Sequence, residues 1–122
     1  MLGGDFYSIE EQVNQPNGVD ALLKLNAGHN IFKGHFPSIP VVPGVCSMQI
    51  IKELAEASIG SRLTLVKADF LKFLAVITPR DVLEINASVS WADTGAGDYS
   101  VNGTIFNKET IYLKFKGTFK QS

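Results

Sequence analysis

Disulfides, membrane-spanning runs and a dominant charge are all missing from this chain. Its 122 residues hold one cysteine, Cys46, so no bridge can close within it and a reducing compartment is the simpler setting. Eleven lysines and arginines stand against twelve aspartates and glutamates, which leaves no global field to draw nucleic acid or an anionic membrane. Charged recognition has to be local. The longest apolar stretches, such as Val41 to Val45 and Phe73 to Ile77, fall far short of the roughly 20 residues that span a bilayer, so an integral membrane protein is not expected. Met1 to Glu10 carries Asp5 and Glu10 where a signal peptide would run from basic to apolar, and a cytoplasmic protein is expected. There is no internal repeat, low-complexity tract, linker or glycine-rich nucleotide loop.

What the chain does hold is core material. A composition 45% hydrophobic and 19% charged supplies enough apolar surface for one domain over residues 1–122. From Val82 to Trp91, Leu83, Ile85, Ala87, Val89 and Trp91 alternate with polar residues, the period-2 pattern of a half-buried strand. Asp93 to Asp98 supplies a turn, and Tyr99, Val101, Gly103 and Ile105 form one face of the next strand. After Asn107-Lys108-Glu109, Ile111, Leu113, Phe115, Gly117 and Phe119 form one face of the last strand, with Lys114, Lys116 and Lys120 opposite. The last third therefore reads as an antiparallel meander. Shorter strands are expected at Phe6 to Val13 and Val19 to Asn26, joined by Asn14 to Gly18, and another at Thr64 to Phe73.

Between them, Val45, Met48, Ile51 and Leu54 recur at helical spacing, with Pro43 suited to the start and Gly60 to the end. One helix, about Pro43 to Ile59, is expected, apolar round most of its circumference and so enclosed by sheet. The fold class is α+β, an antiparallel sheet wrapped around one central helix. Such a sheet leaves an edge, and a homodimer with a continuous sheet would cover it, with room for dimers to assemble further.

The segment Gly34-His35-Phe36-Pro37-Ser38-Ile39-Pro40-Val41-Val42-Pro43-Gly44-Val45 concentrates three of the five prolines just before the helix. Proline fixes its own φ and restricts the residue before it, so His35 sits on a stiff segment. Histidine titrates near neutrality and suits proton transfer. Gly44 falls where free helix N–H groups and the positive end of the macrodipole can stabilise a carbonyl oxygen gaining charge.

The run His35-Phe36-Pro37-x-x-Pro40-x-x-Pro43-Gly44-Val45 resembles the signature of the 3-hydroxyacyl-[acyl-carrier-protein] dehydratases, a hot-dog-fold family. The likeness continues in Lys72-Phe73, Pro79 and Asp81 and covers roughly Asn26 to the C-terminus. It implies that His35 takes the α-proton of a 3-hydroxyacyl thioester, on acyl carrier protein or coenzyme A, while the Gly44 amide polarises the carbonyl. Phe36, Pro43 and Val45 would line the substrate's entrance. The reaction would belong to fatty-acid or related lipid or polyene synthesis, and the elimination needs no cofactor.

In that family an acid on the helix, fourteen residues after the histidine and facing the partner's histidine, helps water leave. Here that position is Gln49, and one turn later stands Glu53, where the family commonly has glutamine. Glu53 is expected to supply the acid or to position water beside Gln49. Two further readings stay open: a thioester hydrolase in which Glu53 activates water or attacks the thioester, and an acyl-binding or partner subunit.

Other residues receive plainer expectations. His29 reads as a solvated loop residue, Cys46 as a small buried helix residue, and Glu56 as solvent-facing. Phe32, Phe36, Phe70 and Phe73 could line an acyl tunnel but are first of all core, with only Phe36 favoured at the tunnel mouth. Lys67, Lys72 and Arg80 are candidates for contact with an acidic carrier. No metal is proposed, because His29 and His35 lack companions at ligand spacing.

Overall fold

A computed structural model describes residues 2–32, 41–79 and 82–122. His35 and Phe36 lie outside the described residues, as do Pro37, Pro40, Arg80 and Asp81. Six strands form one antiparallel sheet: β1 (Tyr7–Gln15), β2 (Gly18–Leu25), β3 (Leu63–Phe73), β4 (Glu84–Asp93), β5 (Asp98–Asn107) and β6 (Thr110–Gln121). Their order across the sheet is β1-β2-β4-β5-β6-β3. The helix α1 (Gly44–Ile59) lies between β2 and β3 in the chain, so β3 crosses to the far edge after it.

Alternation dictates which side of the sheet meets the helix. Ala87 pairs with Ile105 and Val89 with Gly103, while Gly103 pairs with Phe115 and Ile105 with Leu113, so one face is continuously apolar across three strands. Ile50, Ile51, Leu54 and Ala55 of α1 pack on it and are buried. Gly103 makes this close approach possible: a Cβ there would stand 2.7 Å from Ile51 Cδ1 and 2.9 Å from Cγ2. With Ile51 fully buried, its side chain contributes roughly 1.5–3 kcal/mol through apolar burial.

The helix ends as its sequence suggests, with Gly60 at φ 83° donating its N–H to the Glu56 carbonyl. Glu56 itself is half-buried and accepts from the Leu63 amide at 2.8 Å, tying the helix's last turn to the start of β3. That corrects the expectation of a solvent-facing residue.

Two other expectations change. The first hairpin is tighter than expected, with only Pro16 and Asn17 between β1 and β2. The helix is not enclosed on all sides: the sheet covers the stripe from Cys46 through Ile50 to Leu54, while Val45 is 77% exposed and Met48, Gln49 and Lys52 are half-exposed. One face of α1 and nearly all of β3 therefore stand open in the single chain.

Candidate functional site

A cavity of about 500 Å³ occupies the angle between the open face of α1 and the inner face of β3. Gly44, Val45, Met48, Gln49 and Lys52 line it from the helix, and Leu65, Leu71, Phe73 and Phe119 from the sheet. The wall is mostly apolar, and its polar side chains are Gln49 and Lys52.

The helix start opens into this cavity. Pro43 holds the cap position at φ −62° and ψ 144°, without a side-chain cap, and its carbonyl receives Cys46 and Ser47. Gly44 and Val45 follow as the first two helical residues, whose amides belong to the group that helix geometry leaves without an internal acceptor. They add to the positive end of the dipole. Gly44 is required by space: a Cβ would stand 2.8 Å from Phe73 Cζ and 2.9 Å from Cε1. The sequence thus brings Gly44, Val45 and Gln49 to one cavity, with Pro43 capping the helix just before them.

Glu53 stands one helical turn from Gln49 and is held to it by a hydrogen bond. It is buried, and its carboxylate accepts four hydrogen bonds. The Leu2 amide reaches Oε2 at 2.7 Å and the Gly3 amide reaches Oε1 at 2.8 Å. The Tyr7 hydroxyl donates to Oε1 at 3.1 Å, and Gln49 Nε2 donates to Oε2 at 3.0 Å. Burial pushes this carboxyl up, but the Leu2 amide, the Gln49 amide, the Gly3 amide and the Tyr7 hydroxyl outweigh it and hold it below its usual range. A carboxylate so held accepts protons' hydrogen bonds rather than giving a proton away.

Tyr7 completes the cluster, its own ionisation pushed upward by burial and by the Glu53 charge beside it. Sequence reasoning missed Tyr7, Leu2 and Gly3, since nothing local links them to a helix some fifty residues on. Lys52 was also missed, although its place three residues after Gln49 puts it on the same helix face. Gln49 and Lys52 divide the apolar cavity from a second, more polar hollow of about 550 Å³ bounded by Glu53, Glu56 and Arg62.

Of the remaining candidates among the described residues, Phe73 alone lines the cavity. His29 Nε2 lies 2.9 Å from Asp5 Oδ2, and its ring meets Phe6 edge-on at 5.5 Å, so it is a tied residue and not a solvated one. Cys46 is buried as expected, and burial pushes its thiol's ionisation upward. Phe32 is core, while Phe70 is 40% exposed and Phe73 lines the cavity. Lys67 pairs with Asp69 at 3.6 Å, and Lys72 lies 5.8 Å from the Phe70 ring centre.

The ApeI-like family, described as ApeI dehydratase, matches residues 10–110. The 3-hydroxyacyl-[acyl-carrier-protein] dehydratase FabZ of Jannaschia sp. is 30% identical over 81 residues, 59% of this chain and 50% of that protein. The chain thus spans about half the length of that relative. FabZ of Rickettsia felis is 28% identical over 117 residues, covering 89% of this chain and 81% of the other. Among solved structures, a chain of the dehydratase heterocomplex ApeI:P from Xenorhabdus doucetiae superposes with a TM-score of 0.74 at 17% identity, over 93% of this chain and 97% of that one. A hypothetical thioesterase with coenzyme A from Streptococcus pneumoniae superposes at 0.65 and 14% identity, over 98% and 91%. The shared architecture is the hot-dog fold.

Proposed function

Because this chain belongs to the ApeI-like dehydratase family, we propose that it eliminates water from a 3-hydroxyacyl thioester carried on acyl carrier protein, giving the trans-2-enoyl product. The observation that carries this reading is the apolar cavity opening at the Gly44 helix start, with Gln49 on its wall. An acyl chain fits among Val45, Met48, Leu65, Leu71 and Phe73, and its thioester carbonyl faces amides able to hold an oxygen that gains negative charge.

His35 is the proposed base, from its place in the proline-spaced motif. It takes the α-proton as the electrons move toward the carbonyl that the Gly44 amide polarises. The C3–O bond then breaks. Glu53 is not the proposed acid, because its four donors favour the carboxylate over the protonated form. The proton that completes the departing water comes back from the His35 imidazolium, so one group gives what it took. Phe36, next to the base in sequence, is proposed at the substrate's entrance with Pro43 and Val45.

The assembly we propose is a homodimer joined along β3. This strand is a sheet edge, and only Leu63 of its eleven residues is buried. Leu65 to Val76 hold seven of the chain's eleven exposed large apolar side chains among the described residues, which concentrates the surface to be covered beside the cavity. A second reading pairs this chain with a different hot-dog subunit. It is favoured by Gln49 at the place where the resemblance expects a carboxylate, and by the neighbouring ApeI:P structure being a heterocomplex. We place the protein in the cytoplasm on its one unpaired cysteine; among the described residues no helix is long and apolar enough to cross a membrane.

The test is to incubate the purified protein with 3-hydroxyacyl thioesters of several chain lengths, on carrier protein and on coenzyme A, and to follow enoyl formation and free thiol separately. Enoyl product that disappears in His35→Ala is the expected result. Thiol release in its place would move the assignment to a hydrolase. No turnover alone, but turnover with a second hot-dog chain added, would establish the heteromeric reading.

A further inference from the structure

Gln49 has an amide whose two ends differ in kind: the NH2 group only donates and the oxygen only accepts. Its neighbour fixes which end points where. Glu53 Oε2 lies 3.0 Å from Gln49 Nε2, and a carboxylate already accepting from Leu2, Gly3 and Tyr7 has no proton to offer an amide oxygen. Turning the amide over would set oxygen against carboxylate oxygen. The NH2 group therefore faces Glu53, and the oxygen is the end left free on a side chain that lines the cavity. Gln49 Oε1 accepts no hydrogen bond from the described residues, and it stands on a wall otherwise built from apolar side chains and Lys52.

We propose that Glu53 is a positioning residue that sets the polarity of Gln49, so that the cavity presents a lone acceptor and selects acyl chains bearing a hydrogen-bond donor at the reacting carbon. The ligand class follows from that chemistry. A 3-hydroxyacyl group offers an O–H to Gln49 Oε1, whereas a 3-oxoacyl group brings a second acceptor and a saturated chain brings nothing. An oxo oxygen gains nothing from Gln49 Oε1, so at this residue the preference is for hydroxy over both saturated and oxo chains. The proposal deepens the functional reading above and depends on it for the identity of the ligand, though the direction of the amide does not.

The first arm of the test needs no ligand. In the 15N-labelled protein, the Gln49 side-chain amide is expected to show one proton shifted downfield by the carboxylate, and Glu53→Gln is expected to move that signal back. A Gln49 amide resembling a free glutamine, unmoved by Glu53→Gln, overturns the orientation. The second arm measures binding of non-hydrolysable 3-hydroxyacyl, saturated and 3-oxoacyl thioester analogues of equal length. The wild type is expected to favour the hydroxyacyl form over the saturated one by about tenfold, the effect of one hydrogen bond.

Gln49→Met keeps the bulk of the side chain and should bring that ratio to about one. Glu53→Gln should lower the ratio too, because one acceptor oxygen cannot hold four donors and the Gln49 amide loses its fixed partner. A role in stability alone would weaken all three analogues together and leave the ratio unchanged, which overturns the proposal. If no analogue binds, the acyl-thioester reading fails, and the amide signal still decides the orientation by itself.

Discussion

Phe73 lies against the backbone of Gly44 so closely that a Cβ on residue 44 would stand 2.8 Å from its Cζ. The ring is 55% exposed and can swing, and the space it would swing through is the cavity it lines. Gly44→Ala is therefore expected to harm function more than folding. Overpacking costs about 1–3 kcal/mol, and the gain of alanine over glycine in a helix returns roughly 0.5–1 kcal/mol. A melting temperature within a few degrees of wild type, together with a drop in kcat/KM of about tenfold or more, would support this. A full-activity Gly44→Ala would mean that the ring does not guard the site.

The carboxylate of Glu53 should be legible in the acid limb of stability. Its four donors hold its folded-state ionisation below the unfolded value, so its contribution is fully present above the unfolded pKa of about 4.3. That contribution is lost as pH falls through the lower, folded value. Denaturant titrations of wild type and Glu53→Gln between pH 3 and pH 6 should converge toward the acid end. Near neutrality the variant should be less stable by roughly 2–3 kcal/mol, the cost of leaving buried donors without an ionised acceptor. Parallel curves over the whole range would show that Glu53 ionises alike in the folded and unfolded chain, with no net gain from its four donors.

Ile51 and Gly103 should behave as one unit. Gly103→Ala places a methyl 2.7 Å from Ile51 Cδ1 and is expected to destabilise by about 1–3 kcal/mol. In an Ile51→Val background that terminal methyl is absent, so the cost of Gly103→Ala should shrink by at least about 0.5 kcal/mol. Strict additivity in the cycle would deny the contact.

Association along β3 predicts a response to charge at the edge. Val66 is 53% exposed and apolar. Val66→Lys is expected to raise the dimer's Kd by about tenfold or more in sedimentation equilibrium. An unchanged dimer would place the interface on another surface.

Cys46 is buried with its ionisation pushed upward, and thiolate is the reactive form. Disulfide-exchange reagents at pH 7 should label it far more slowly in the native protein than in denaturant. Rapid native labelling would show that the helix start opens.

Much of this was readable from residue order, because alternation and helical spacing report burial directly. Ile85, Ala87 and Val89 fall on one face of β4, and Ile51 and Leu54 fall on the buried stripe of α1, as their periods require. Boundaries drifted by one or two residues where a turn tightened, as at Pro16 and Asn17. The fate of Glu53 was not readable. Its partners Leu2 and Gly3 lie 51 and 50 positions away, and two of its four bonds come from backbone amides that every sequence has. Gly44 illustrates a partial reading: the glycine at the helix start was recognised as a functional residue, but that Phe73 forbids a side chain there comes from packing alone. The exposed face of α1 misled for a related reason. Val45 reads as part of an enclosed helix because it is apolar, while in the single chain it is 77% exposed.

On the proposed assembly, strand β3 carries two duties on one stretch of backbone. Leu65, Leu71 and Phe73 shape the cavity from its inner side, and its outer rim is the sheet edge that a second chain would join. Drift at one duty is felt at the other, since changes in register or twist that admit a new companion also move the cavity wall. Sister subunits arising by duplication would therefore be expected to part company in substrate and in companion together, with β3 as the stretch where both histories are written.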